Sequence, residues 1–282
     1  MVRLAYQSGA RLFLSTNGTE LLNLGLLPYF EAIIFRLDYG LASIYERRNP
    51  AAKFNRVIFN ISQVLYWREV NQSSRPLVII LFAKDRYSLP SLPIFMDTAI
   101  RLNPDCVVFY QPFFHVRPVD EQAQLPGDAD PVFIQQIDRT LEFMAESAGL
   151  KMVNRPVEND PAGRCIYDSQ KSAFVNWCGQ VGLCRNSSLP LAGGGFSRFF
   201  EGKEQPLETA LFGSLLTNSL DTISHNRAYR RFRRACRLES SRFPRPKSQE
   251  KPPPLNRPGA KGKNNLYVLE DNRFKSCFCD RR

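Results

Sequence analysis

The chain of 282 residues is poor in histidine, tryptophan and methionine, with two, two and four respectively. It also has no long apolar run: the longest clean stretch, Leu77 to Ala83, is far too short to cross a bilayer. Residues 1 to 16 lack the extended apolar centre of a signal peptide. No membrane association is expected, and the cytoplasm is the expected compartment. The two histidines, His115 and His225, lie far apart with no serine or cysteine nucleophile at a known spacing, so a hydrolytic triad is not supported and no catalytic residue is assigned. Gly193-Gly-Gly195 is not followed by Lys-Ser or Lys-Thr, which leaves it as a turn rather than a phosphate cradle.

What is present is 43% hydrophobic and 12% aromatic residues, enough for a packed core and a small appendage. The net charge of +11 is local: residues 227 to 282 hold 17 of the 38 basic and 5 of the 27 acidic residues, so that segment carries +12 and the remainder −1. A basic end can attract an acidic partner, but without stacking aromatics among the charges it reads as solvated and weighs against nucleic acid. Six prolines and many charges between 244 and 265 predict disorder there.

From residue 11 onward, short apolar runs alternate with helical periodicity. Strands are expected at 11–16, 32–37, 77–82, 106–110 and 150–154. Helices are expected at 19–29, from Phe54 through Leu65, at 94–102 and at 132–148, with Gly149 stopping the last. Strands alternating with helices predict an α/β chain with a parallel sheet, whose ligands bind at the strand C-terminal ends. After 154 the texture turns cysteine-containing and glycine-rich up to Phe212, then a helix is expected from Ser219 with Ile223, Tyr229, Phe232 and Cys236 inward.

Seven cysteines are an odd number, and in a reducing compartment, where disulfides rarely persist, metal ligation or burial accounts for most of them. Cys165 is followed after thirteen residues by Gly179 and, four residues later, by Cys184. Segments 172–177 and 180–184 can pair as a hairpin with Cys178-Gly179 as a two-residue turn, which would set Cys184 beside Ala173. Two thiolates there are half of a four-thiolate site for iron–sulfur or zinc.

This spacing resembles the opening of the SPASM domain, the cluster-binding extension of many radical SAM enzymes, and Leu211 to Ile223 running into Tyr229-Arg-Arg-Phe-Arg233 resembles the strand and helix that come next in that domain. Leu12-Phe-Leu-Ser-Thr-Asn17-Gly-Thr19 and Phe35-Arg-Leu-Asp38-Tyr-Gly40 likewise resemble two radical SAM strands, with Tyr45, Arg48 and Phe54 falling where the family has such residues. The resemblance covers about residues 4 to 237. It implies a partial (β/α) barrel over 1–155, a SPASM-like module over 156–243 and a basic tail over 244–282. It implies that Asn17 and Asp38 line the S-adenosylmethionine end, and that Cys165 and Cys184 hold an auxiliary 4Fe-4S cluster.

The chain departs from the family in two ways. The close cysteine pair expected after the helix is missing, leaving Cys236, Cys277 and Cys279 as the remaining candidate ligands, reachable across a long linker at modest entropic cost. No run has Cys, three residues, Cys, two residues, Cys, the motif that holds the catalytic cluster. The family's first two strands would precede residue 1, so the chain is expected to be a truncated, split or decayed frame with an open sheet edge at 11–16. It would use S-adenosylmethionine only with a complementing N-terminal polypeptide and would act on a peptide or protein substrate. The alternative is a non-catalytic zinc-binding interaction protein with a basic tail.

Overall fold

The computed structural model describes residues 2–110, 131–154, 173–176, 178–182, 196–200, 203–207 and 210–242; for 131, 196–200, 203–207 and 235–242 the backbone alone is described. These fall into two units, the first holding the described residues up to 154 and the second those from 173 onward.

The first unit is a mixed α/β structure on a five-stranded parallel sheet in the order β1-β2-β3-β4-β5. The strands are β1 Leu12–Thr16, β2 Phe30–Arg36, β3 Leu77–Ala83, β4 Cys106–Tyr110 and β5 Met152–Asn154. The helices are α1 Val2–Gln7, α2 Ala42–Arg48, α3 Phe54–Val70, α4 Leu92–Leu102 and α5 Pro131–Ser147. Sequential strands lie side by side: helices cross over between β2 and β3, β3 and β4, and β4 and β5, and a segment ending in a 3₁₀ turn crosses over between β1 and β2, as parallel pairing requires. Gly149, at φ +65, ends the run after α5, its N–H and that of Leu150 returning to the carbonyls of Glu146 and Ala145.

The two faces of the sheet differ. Ile33, Phe35, Val78, Ile80, Phe82, Val107 and Phe109 point into the main core, where α3 contributes Val57, Ile61 and Val64 and α4 contributes Phe95, Met96 and Ala99. Alternate residues Ala32, Ile79, Cys106 and Val108 form a second, smaller cluster that no helix residue joins among the described residues. A strand buried on both faces reads as a continuous apolar run, which is why Leu77 to Ala83 lacks alternation.

The leucine-rich stretch expected as a helix over 19–29 is not one. Only Leu24–Tyr29 is helical, as a 3₁₀ segment started by Asn23, whose side chain accepts from the Gly25 N–H, and containing Pro28. Proline offers no N–H to a preceding carbonyl, and of these leucines only Leu27 is buried while Leu21 is largely exposed. Two helices at either end of that region, α1 and α2, were not expected from periodicity. They are six and seven residues long, too short for a hydrophobic period to declare itself.

In the second unit, β6 Phe174–Val175, β7 Gln180–Gly182 and β10 Leu211–Ser214 form an antiparallel sheet in the order β10-β7-β6, and β8 Phe196–Phe200 pairs with β9 Lys203–Leu207. The expected single helix from Ser219 is two: α6 Leu220–Ser224, capped by the Ser219 hydroxyl, and α7 Arg227–Arg242. Asn226 makes the break, its Oδ1 accepting from the Ala228 N–H at 2.8 Å while its Nδ2 donates to the Phe212 carbonyl at 3.1 Å. Ile223 and Tyr229 are buried as expected and Phe232 is half-buried; the side chain of Cys236 lies outside the described atoms.

Candidate functional site

The C-terminal ends of β1 to β4 bring together residues far apart in sequence. At the end of β1, Asn17 is exposed and its Oδ1 accepts from the N–H and hydroxyl of Thr19 at 3.2 and 2.9 Å, a side-chain turn. Gly18 follows at φ +70, buried where a Cβ would stand 3.0 Å from Val57 and 3.1 Å from Phe35, and its carbonyl accepts from buried Asn60 Nδ2 at 2.7 Å. Helix α3 therefore fixes this turn, and only glycine fits it.

At the end of β2 lie Arg36, Asp38, Tyr39 and Gly40. Arg36 donates to the Tyr110 hydroxyl at 2.8 Å and stands 3.6 Å from Asp38; Tyr110 in turn donates to Asp38 Oδ1 at 3.4 Å. Arg36, Asp38 and Tyr110 share the sheet face that carries the small second cluster, so this polar triangle caps Ile34, Leu81 and Val108. On the other side Tyr39, buried, donates to Asp85 Oδ2 at 2.9 Å. Asp38 is not a helix cap: the residue before α2 is Leu41.

Electrostatics at this edge are set by burial and by two carboxylates. Burial pushes Asp38 above the usual carboxylate range; Arg36 pulls it down, Asp85 pushes it up, and the Ala83 N–H and Tyr110 hydroxyl pull it down. About a quarter of its side chain stays exposed, so solvent moderates the rise. Tyr39 and Tyr110 are both raised, chiefly by burial and next by the neighbouring Asp85 and Asp38 respectively. Both phenols stay protonated at neutral pH and act as hydrogen-bond donors.

At the end of β3, Lys84 and Asp85 are each 4% exposed. Lys84 Nζ is 3.1 Å from Asp138 of α5 and donates to Asn154 Oδ1 of β5 at 2.8 Å, tying three elements together. Asp85 Oδ1 accepts from the N–H groups of Tyr87 and Ser88 at 2.8 and 2.7 Å and so holds the turn leading to α4. Gly40 docks against that turn, its N–H donating to Ser91 Oγ at 3.2 Å.

Of the residues expected to bind the cofactor, Asn17 and Asp38 thus lie at the ends of adjacent parallel strands. Sequence reasoning missed Arg36, Tyr39, Tyr110, Lys84 and Asp85. A signal for the last two was available: a charged pair directly after the continuous apolar strand Leu77 to Ala83 marks its C-terminal end. Arg36 and Tyr110 are 74 residues apart and nothing local relates them. A shallow cavity of about 580 Å³ lies elsewhere, at the C-terminal ends of α3 and α4, between the Arg68–Asp105 and Arg101–Asp97 ion pairs.

The cysteine region is described in part. The hairpin expected between 172 and 184 is present, with Phe174 opposite Gly182 and Val175 opposite Val181. Its turn differs from the expected one: the Asn176 N–H donates to the Gln180 carbonyl, so Asn176 stands opposite Gln180 and the register is shifted by one residue. The reason is Asn176, buried, whose Oδ1 accepts from the N–H groups of both Cys178 and Gln180 at 3.0 Å. Gly179, at φ +73, takes the left-handed position that such loops require. Cys178 is exposed and Cys106 buried in the first sheet. Cys165, Cys184, Cys277 and Cys279 lie outside the described residues, as do 244–265, and among the described residues no three metal-ligating side chains converge.

No protein-family model matches the sequence. No curated protein matches it either. Among solved structures the chain is similar to Streptococcus suis SuiB bound to S-adenosylmethionine, at 11% identity and TM-score 0.49, over 82% of this chain and 52% of that one. Another structure of Streptococcus suis SuiB gives 12% identity and TM-score 0.49 over 83% and 53%. SuiB bound to its precursor peptide SuiA gives 11% identity and TM-score 0.43 over 65% and 44%. The chain spans about half the length of SuiB. No helix among the described residues is long and apolar enough to cross a membrane.

Proposed function

We propose that this chain binds an auxiliary 4Fe-4S cluster through a SPASM-like module, and that it is a radical SAM-type protein acting on a peptide or protein. In this reading residues 1–155 form the cofactor-facing part, 156–243 the cluster module and 244–282 a tail. Cys165 and Cys184 are ligands, with Cys236, Cys277 and Cys279 as candidates for the rest. The observation that carries it is Gly179: the glycine in the Cys165, Gly179, Cys184 spacing has φ +73 in a tight hairpin loop, the conformation for which that spacing calls. Thiolates fit iron, and a rigid hairpin suits a cluster that cannot tolerate wandering ligands. Asp38, a partly exposed acceptor beside Arg36 and Tyr110, suits a hydroxyl or ammonium of S-adenosylmethionine.

The test is anaerobic reconstitution with iron and sulfide. The expected product is brown and contains both elements, and Cys184→Ala lowers cluster content more than Cys178→Ala, since Cys178 sits exposed on the loop. A colourless protein with one equivalent of zinc would instead establish the zinc-binding alternative. The cysteine pattern that opens one iron to S-adenosylmethionine is absent from this sequence. 5′-Deoxyadenosine is therefore expected only when a polypeptide bearing that pattern is added.

A further inference from the structure

Helix α7 carries seven arginines, no lysine and one glutamate. Arg227, Arg230, Arg231 and Arg234 are exposed and spaced at i, i+3, i+4 and i+7, which places them on one face. Among the described residues none of these four side chains has an ion-pair or hydrogen-bond partner. Arg233 differs: it lies over the Tyr229 ring at 4.3 Å and donates to its hydroxyl at 3.1 Å, so it belongs to the packing. We propose that the face formed by Arg227, Arg230, Arg231 and Arg234 binds the phosphate backbone of a nucleic-acid duplex.

The opposite face explains why the arginines are held outward. Tyr229 is fully buried and stacks on Phe212 of β10 at 4.4 Å and 11°, and Phe232 lies 6.1 Å from the same ring. With its aromatics committed to the sheet, α7 cannot roll and sink an apolar face into lipid as a membrane-surface helix does. Neighbouring like charges weaken an isolated helix, so four arginines without acidic neighbours are a standing cost that an anionic partner removes.

Charge density selects the partner. Seven residues of helix span about 10 Å, and a duplex presents one phosphate per roughly 1.7 Å of its axis, about six over that length. An acidic peptide would need several carboxylates in the same span. Arginine's planar fork grips a phosphate through two parallel bonds, whereas a lysine offers a point charge. The lack of stacking aromatics argues against single strands, whose bases need platforms, and leaves a duplex backbone untouched. No bound cluster is required for this contact.

The experiment titrates the full chain into a labelled DNA duplex of about 20 base pairs, following anisotropy from roughly 50 to 200 mM salt. Four phosphate contacts give a log–log salt slope near −3.6 or steeper, at about −0.9 per contact. Arg230→Gln with Arg234→Gln is expected to weaken binding and make the slope shallower by about two, at roughly 0.9 each. Arg230→Lys with Arg234→Lys should keep the slope while weakening affinity. Three results would each overturn the proposal: unchanged binding in the glutamine variant with loss in Lys261→Gln and Lys263→Gln, equal loss of slope in the lysine variant, or displacement of the duplex by polyglutamate at equal charge.

Discussion

The guanidinium of Arg36, at the end of β2, donates over 2.8 Å to the phenol of Tyr110, at the end of β4, reaching across the strand that separates them. Tyr110 passes the interaction on to Asp38, so a cation, a phenol and a carboxyl are balanced on one edge of the sheet. Removing the middle member tests that balance. Tyr110→Phe is expected to cost about 1 kcal/mol, the net value of a hydrogen bond of this kind, measured by urea unfolding at neutral pH.

The same triangle sets a pH dependence. Asp38 holds its proton more tightly folded than unfolded, because burial and Asp85 outweigh Arg36. The stability this gives is fully present below the ordinary carboxylate range and is lost as pH rises through the elevated folded value. Asp38→Asn should therefore flatten the decline in unfolding free energy between mildly acidic and neutral pH. Parallel curves for the two proteins would show that another group titrates.

Lys84 offers an asymmetric test. Asp138→Ala leaves a buried ammonium with Asn154 alone and is expected to destabilise by roughly 3 kcal/mol, the low end for an orphaned buried charge because Asp138 is partly exposed. Lys84→Met removes that charge and should cost clearly less. Denaturant midpoints of the two variants, compared at constant m, decide it.

Gly40 is irreplaceable for space. A Cβ there would meet the Ser91 carbonyl at 2.6 Å, Phe95 Cβ at 2.7 Å and the Phe95 nitrogen at 2.8 Å, mostly backbone that cannot step aside. Gly40→Ala is expected to lower stability by about 1–3 kcal/mol and to loosen the loop that presents Asp38 and Tyr39, seen as a lower unfolding temperature.

Gly179 is constrained by conformation instead. Its nearest neighbour is Leu216, 3.2 Å from a built Cβ but 81% exposed and free to give way. The penalty of Gly179→Ala is then mainly the left-handed backbone, about 1–2 kcal/mol, and Gly179→Asn should cost less. The order Gly, Asn, Ala in thermal midpoint, and in iron content after reconstitution, is the expected result.

Much of the first unit was legible. Strands β1 to β4 and helices α3 to α5 follow from long or strongly patterned apolar runs, where tertiary packing and local preference agree. The stretch from 19 to 29 misled because leucine content is not periodicity: Asn23, Gly25 and Pro28 each break the helical ladder. The hairpin turn was placed one residue wrong because a buried asparagine side chain, not turn length, fixes its register. In the candidate site, Asp38 was singled out through the resemblance carried by Phe35 to Gly40. Its partners Arg36 and Tyr110 were not, since only the parallel register brings β2 and β4 to either side of β3.

Strand β3 is paired along both sides, with β2 and with β4, and is screened above and below by apolar side chains. Its amide protons have no local route to solvent and can trade with deuterium only when the whole sheet opens. The exchange rate at Val78 to Phe82 is therefore a direct readout of the first unit's global opening. The amides of β1 and β5, at the sheet's two margins, should lose their protons first.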